Sequence, residues 1–537
     1  MMNLENIDPR DPAKFRLIGT SVLLYRFIVP HDSRLFVGDI LKIMDPGKGY
    51  TFYAKVTDLF HKSNFADSRW DTRPYSDHFY GLGEDVFLEV EAIPLGYVDS
   101  AGGFHRPRTV PTKFSPVQEP GTEDFAFLTR VMGDIEVGAM KTGQDVLQGV
   151  KVCIPSTILP QHMGIFATTG MGKSNFMKVF SASSMKMRKF GLLVVDPHGE
   201  YLKGGTSSQS GLIHYQAGRE GLAVYSIRDE KERKIYGLNR LWLEFDDFRM
   251  TDLMTLYEVS GPQWEIIEAL GDFHGSEVIR FFQQLEPETF DASTYQSLQG
   301  KDRDIAYKIR TSMPGPLRVL KRRIENLVRG NREFFHEGVS SFPEILRNLH
   351  DNRVVLIDIP RMGERSELFI LSLITRMILE RHQEKAKRFG VDEPEEAIPQ
   401  VLIAIEEAQR VLGAGSEGTQ VFRECAMEGR KFGVGLCVIT QQPKNIDPRV
   451  LAQLNTFVVM GLGDKHDREM IASSAKQDLS RMDTEIQTLD RGEAIISTIG
   501  IPFPVSTRIH HFDAYIMTLN REKKRPLSEG LEDTFDP

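Results

Sequence analysis

Residues Gly164–Phe180 read "GIFATTGMGKSNFMKVF". An apolar run of strand length passes through a short glycine- and hydroxyl-bearing stretch into a helical pattern. Within it, Ala167–Ser174, "ATTGMGKS", follow the spacing G-x-x-x-x-G-K-[ST], with Ala167 at the place of the first glycine. Gly170 and Gly172 let the backbone curl so that successive N–H groups face phosphate oxygens. The helix start at Lys173 adds a positive dipole end. Lys173 would reach the β- and γ-phosphates, and Ser174 would ligate Mg²⁺. A Gly-Lys turn could arise by chance, but the strand–loop–helix context favours a nucleoside triphosphate site formed by Thr169, Gly170, Met171, Gly172, Lys173, Ser174 and Asn175.

The surrounding pattern sets the fold class. "HMGIFAT", "FGLLVVD", "RVVLIDI", "QVLIAIE", "GLCVITQ" and "NTFVVMGL" are near-continuous apolar runs separated by helical patterns. Such runs fit strands buried on both faces of a parallel sheet, hence an α/β core. Upstream, "RLFVGDILKIMD", "YTFYAKVTDLF" and "EDVFLEVEAIPLGYVD" alternate apolar and polar residues between Gly and Pro breaks, which predicts a small β-barrel. "VPTKFSPVQEPGTED" (110–124) reads as a linker. Amphipathic helices between about 240 and 350 read as an insertion between two sheet strands. The expected division is a barrel over 1–115, a first core portion over 116–239, the insertion over 240–350, a second core portion over 351–515, and an arm or tail over 516–537.

Hydrolysis needs a carboxylate near the metal and a group that orients water. "VLIAIEEAQRVLG" (Val401–Gly413) ends a buried run in two glutamates. Glu406 would sit near Mg²⁺ and Glu407 would polarise the attacking water. Two acids could equally open a helix, where the N-terminal dipole favours them. Asp196, His198, Gly199 and Glu200 of "VVDPHGEY" stand at another strand's carboxyl end, where open α/β sheets bind ligands; a solvated Pro-Gly turn reads the same way. Thr440 and Gln441 of "VITQQP" close a further run, and Gln441 could sense the γ-phosphate or simply cap the strand. Arg430 in "EGRKFGVGL" could reach a neighbouring copy's triphosphate or be an exposed helix-end cation.

Composition bounds the alternatives. The 537 residues are 41% hydrophobic and 26% charged, with a net charge of −9, which suits a globular chain and gives no bulk attraction for nucleic acid. A local basic channel remains compatible with that balance; Lys203 and the run Arg318, Lys321, Arg322, Arg323 are candidates. "RVLKRRIENLVRGNR" also reads as a solvated face opposite apolar Val319, Leu320, Ile324 and Leu327. The three cysteines, Cys153, Cys425 and Cys437, lack metal-ligand spacing and suit a reducing cytoplasm. No run is long and apolar enough for a membrane span, and the N-terminus lacks a signal-peptide pattern.

Together, "GIFATTGMGKSN", "VVDPHGEY", "IAIEEAQRVL", "EGRKFGVGLCVITQQP", "LNTFVVMGLGD" and "RGEAIISTIGIPFPV" resemble the HerA family of hexameric DNA translocases, in the HerA–FtsK branch of P-loop ATPases. The resemblance covers about 125–515, with motifs in matching order. It implies a RecA-like P-loop ATPase core, a small N-terminal β-barrel (HAS barrel) and a helical-bundle insertion. It also implies ATP and Mg²⁺, with Lys173 and Ser174 on nucleotide and metal, Glu406 near the metal, Glu407 as the catalytic glutamate, Gln441 as sensor and Arg430 acting in trans. Departures are Ala167 for glycine, Glu406 for aspartate, and "TQQP" where many relatives carry an arginine before the proline.

The same resemblance implies a homo-hexamer with nucleotide between subunits and DNA through the pore. It implies a partner too: NurA-like in DNA-end processing, or a sirtuin-like or other nuclease effector in antiviral defence. Two functions stay in view. One is a DNA-stimulated motor that feeds a nuclease; the other is an ATP-gated ring scaffold that activates an effector. A conjugation-type or FtsK-type pump is disfavoured, because neither membrane spans nor a winged-helix reader are evident.

Overall fold

The computed structural model describes residues 15–63, 86–205, 208–290, 296–388, 399–413 and 420–522. Most of the expected C-terminal tail therefore lies outside the described residues. The chain forms two compact units. One comprises 1–155, 166–171 and 455–510; the other comprises 156–165, 172–454 and 511–537.

In the first unit, six strands close on themselves. Tyr25–Pro30, Phe15–Thr20, Pro116–Gln118, Ile40–Asp45, Tyr50–Ser63 and Val86–Val98 follow one another, and Tyr25–Pro30 pairs back onto Val86–Val98. This is the barrel that the alternating pattern predicts: Leu17, Phe27, Ile43, Phe52, Val56, Val90 and Val117 fill its core. Closure removes the sheet edges that would otherwise template aggregation. The linker reading of 110–124 is overturned at 116–118. Val117 pairs with both Phe15 and Ile43 and is fully buried, and Pro116 is tolerated because it opens its strand.

The same unit holds an antiparallel sheet in the order Thr456–Val459, Glu493–Thr498, Val505–Ile509, Ile135–Thr142, Asp145–Ile154. "NTFVVMGL" was expected in a parallel sheet, yet its strand runs antiparallel to Glu493–Thr498. A continuous apolar run reports burial on two faces but not pairing direction. Lys55, fully buried, lies 3.2 Å from Glu485 and donates to Ser506 Oγ at 2.7 Å.

The second unit carries the strands Asn239–Arg240, Leu222–Ser226, Val354–Asp358, Gly191–Asp196, Val401–Ile405 and Val434–Thr440, then residues 163–165 of the strand Met163–Phe166, in that order. The pairs from Asn239–Arg240 through Val434–Thr440 are parallel. Their central strands are buried throughout, as their apolar runs require. Helices Lys173–Met187, Phe342–His350 and Glu364–Arg388 belong to this unit, and the C-terminal helix Phe512–Glu522 joins Lys173–Met187 through Ser183–Tyr515 (2.8 Å) and Lys186–Glu522 (3.0 Å). Between Leu243–Glu244 and Phe335–His336, which pair in parallel, lie the helices Asp252–Leu256, Gly261–Ala269, Gly275–Gln284, Gly300–Lys308 and Pro314–Gly330. The last buries Leu317, Leu320, Ile324 and Leu327, whereas Val319 is only half-buried.

His162, with a left-handed φ of 64°, is a buried link in this unit. Its Nδ1 accepts from Leu436 N–H at 2.9 Å. Burial, and then the charge of Arg430, push its pKa down to about 4, against a hydrogen bond to the Ala426 backbone.

These buried polar groups can be tested by unfolding. Lys55→Met leaves Glu485 without its cation and should cost about 3–5 kcal/mol in urea unfolding. Adding Glu485→Leu should recover most of that loss; a Lys55→Met variant as stable as the parent would refute the account. For His162, the unfolded chain takes up its proton near pH 6.5 and the folded chain only near 4. Its stabilisation is complete above pH 6.5 and is lost as pH falls through 4, by about 3 kcal/mol. His162→Asn, which keeps an acceptor for Leu436 but does not titrate, should flatten unfolding free energy over that window by about this amount. An unchanged slope would contradict it.

Candidate nucleotide site

The loop departs from Phe166 at the end of a fully buried strand, and Ala167 is itself buried. Gly170 and Gly172 have φ of +83° and +110°, left-handed conformations that favour glycine. A Cβ on Gly170 would touch nothing within 4 Å, so backbone conformation rather than space calls for glycine there. Gly172 is the N-cap of helix Lys173–Met187 and supplies no side-chain cap. The loop is held from its own unit. Thr168 N–H donates to Gly461 O at 3.1 Å, and Gly492 N–H donates to Met171 O at 3.0 Å. Thr169 and Gly170 are exposed at its crest. Asn175 differs from the loop residues: its Oδ1 accepts from Phe512 N–H at 3.0 Å, which anchors the C-terminal helix.

Parallel register brings the strand ends together. Asp196 ends one strand; Glu406 and Glu407 follow the next; Thr440 and Gln441 close the third. Lys173 lies in their field. Burial lowers its pKa, and Glu407 and then Glu406 oppose that shift. Burial raises the pKa of Glu406, opposed by the Tyr201 hydrogen bond and by Lys173. The Tyr201 hydroxyl donates to Glu406 Oε1 through a short hydrogen bond.

Glu407 adopts a φ of +46°, unusual for a side chain with a Cβ and worth about 1–3 kcal/mol of strain. The surroundings hold it there. Ala408 N–H donates to Ile439 O at 2.9 Å, Gln409 Nε2 donates to Glu407 Oε2 at 2.6 Å, and Gln441 Nε2 donates to Glu407 Oε1 at 2.8 Å. Thr440 Oγ1 in turn donates to Gln409 Oε1 at 2.6 Å, which fixes which face of that amide meets the glutamate. Both carboxylate oxygens therefore face amide donors.

The "DPHGEY" residues divide in two. Asp196 accepts from the N–H groups of Glu200, Tyr201 and Leu202 at 3.0–3.1 Å and so organises the short helix Glu200–Lys203. Burial, its largest influence, puts its pKa at about 6 despite those bonds. Tyr201, the last letter of the motif, reaches Glu406, while His198 is exposed.

Of the residues singled out from sequence, Lys173, Glu406, Glu407 and Gln441 converge. Arg430 does not join them: it is exposed in the turn Gly429–Phe432, with no ion pair or hydrogen bond to that cluster among the described residues. Lys203 pairs with Glu232 at 3.0 Å and lies over the Tyr236 ring; Arg318 pairs with Glu288. Sequence reading missed Tyr201 and Gln409. Tyr201 stood inside a quoted motif but carries no spacing signal towards Glu406, and a glutamine two residues past an acid is common in any turn.

Residues 135–378 match the family model "Helicase HerA, central domain". The chain is 22% identical to "DNA double-strand break repair helicase HerA" of Pyrococcus furiosus, over 84% of this chain and 82% of that protein. It is 23% identical to the protein of the same name from Sulfolobus acidocaldarius, over 80% of each. Among solved structures, the plasmid coupling protein TrwB in complex with an ATP analogue aligns at a TM-score of 0.47 and 14% identity, over 72% of this chain and 91% of that one. The chain is thus similar to HerA helicases along most of its length, and it holds a lysine and two strand-end glutamates in one half-buried cluster.

Proposed function

We propose that this chain is a HerA-type ATPase that assembles as a homo-hexameric ring, hydrolyses ATP at subunit interfaces and moves duplex DNA through its pore. The observation that carries the reading is the convergence of Lys173, Glu406, Glu407 and Gln441 at the carboxyl edge of the parallel sheet. Lys173 would meet the β- and γ-phosphates, with Thr169, Gly170, Met171 and Gly172 wrapping the phosphate chain through backbone amides. Glu407, oriented by Gln409 and Gln441, would polarise the attacking water. Gln441 bonds to Glu407 and so suits a group that reports γ-phosphate occupancy to the base. Asn175 contributes by holding the loop helix against Phe512.

The donor set suits Mg²⁺ carried with the nucleotide. A hydroxyl at Ser174 and one carboxylate at Glu406 leave the remaining positions to phosphate and water, as this ion prefers. When bound, it neutralises charge on the phosphate oxygens. Arg430, exposed and away from its own cluster, would serve a neighbouring copy, which is the arrangement a head-to-tail ring requires. A partner nuclease in DNA-end processing, or an effector in phage defence, fits the barrel as a docking face. Among the described residues no helix is long and apolar enough to cross a membrane.

The two amides on Glu407 favour a second reading. A base whose oxygens are both engaged hydrolyses slowly until it is released, so nucleotide occupancy could gate an effector on a ring scaffold.

Three outcomes test these readings. Lys173→Ala should abolish ATP turnover, and duplex DNA should raise turnover of the parent; a rate indifferent to DNA would count against translocation. Glu407→Gln should lower kcat by about 100-fold or more while ATP still binds. If that variant retains the ring and full partner activation, the scaffold holds; if partner activation fails with hydrolysis, the motor holds. Gln409→Leu should lower kcat by about tenfold with little change in KM, the signature of an interaction that orients a reacting group. A raised KM with kcat unchanged would assign Gln409 to nucleotide binding instead.

A further inference from the structure

The helix Pro314–Gly330 carries many cations, and most are neutralised locally. Arg318 pairs with Glu288, Lys321 lies 3.8 Å from Glu286, and Arg329 lies 3.8 Å from Glu325. Arg322 and Arg323 behave differently. Neither makes an ion pair among the described residues, and a third unpaired arginine, Arg365, approaches from the start of the helix Glu364–Arg388. The guanidinium carbons of Arg323 and Arg365 lie 4.9 and 5.3 Å from the centre of the Tyr257 ring. Arg323 is the anchor: its two terminal nitrogens donate to Gln263 Oε1 at 3.0 Å and to Glu258 O at 2.8 Å. Arg322 and Arg365 are exposed and have no hydrogen bond among the described residues.

Three like charges held together without a carboxylate are costly. Burial, and then the charges of Arg322 and Arg365, lower the pKa of Arg323, with only Tyr257 acting the other way. The aromatic face steadies the guanidinium groups of Arg323 and Arg365 without neutralising them. In a chain with a net charge of −9, such a cluster is what an external polyanion would complete. Guanidinium groups offer phosphate a paired set of donors. The cations come from two separate helices, so they suit a ligand with repeated charges better than a single anion.

We propose that Arg323 and Arg365, held at Tyr257, together with the exposed Arg322 beside Arg323, form a docking surface for the phosphodiester backbone of DNA. The inference rests on the reading of the chain as a DNA translocase and names where one strand's phosphates meet the helical insertion. The surface adjoins the catalytic strand end: Glu364, next to Arg365, pairs at 2.8 Å with Arg410, the residue after Gln409. Backbone recognition by these groups is independent of base sequence.

The test is fluorescence anisotropy of a labelled duplex with the full-length chain and a non-hydrolysed ATP analogue, across a salt series. Arg322→Ala with Arg365→Ala should weaken binding at least about tenfold and reduce the slope of log K against log salt by about 2, one for each phosphate that is no longer neutralised. Arg318→Ala with Lys321→Ala, which removes cations already paired, should change affinity by less than about threefold, since paired cations release few counterions. Arg365→Glu alone, at an exposed position, should weaken binding as well. Undiminished binding by the Arg322/Arg365 variant, or equal losses in both double variants, overturns the proposal while leaving the translocase reading intact. Failure of the parent chain to bind any DNA overturns both. Capture of poly-glutamate by these arginines, with DNA binding untouched, overturns the proposal in favour of an acidic protein partner.

Discussion

The candidate site depends on drawing a lysine and two glutamates together, half-buried, at the end of a parallel sheet. Each alone would be expensive to remove from water. Together, Lys173 offsets the two carboxylates, and hydroxyl and amide donors satisfy what remains. Tyr201 meets Glu406; Gln409 and Gln441 meet Glu407. The opposing shifts of Lys173 and Glu406 show the balance: burial pushes each towards neutrality, and each pulls the other back. In the proposed ATPase a triphosphate would enter a site whose charges are already set, which is how reorganisation at the moment of reaction is avoided.

Strain at Glu407 follows from the same arrangement. Its left-handed backbone turns the side chain out of the line of the strand Val401–Ile405 and into reach of two amides, and Thr440 fixes the orientation of one of them. The glutamate is thereby tied to the strand Val434–Thr440 by the backbone of Ala408 and by the side chain of Gln441. Movement of that strand's end would reach Glu407 through directional hydrogen bonds rather than through loose packing.

The helical insertion shows how composition can mislead. A net acidic chain would seem a poor partner for DNA. Yet charge acts locally within a screening length of about 8–10 Å, and pairing decides which cations count. Most of the basic residues on Pro314–Gly330 are spent on neighbouring glutamates. Those gathered at Tyr257 are not, and they come from helices well separated in sequence.

Much of this was legible in the sequence because it is local. The phosphate loop needs glycines at fixed offsets before a lysine. Buried strands need unbroken apolar runs, and a barrel strand needs alternation; each is a periodicity that neighbouring residues impose on one another. The glutamate pair could be singled out because it ends such a run. What the sequence could not fix were the properties that depend on which strands lie side by side. Val117 became a barrel strand because partners far away in sequence accept its hydrogen bonds, and Thr456–Val459 runs antiparallel because its neighbour does. Tyr201 meets Glu406, and Gln409 meets Glu407 under the direction of Thr440, only once strand order is set. Arg365 joins Arg323 at one aromatic ring for the same reason. Backbone propensity and hydrophobic pattern are written along the chain, but hydrogen bonds and charge pairs between distant residues are settled by tertiary packing, because their energies fall away over a few ångströms.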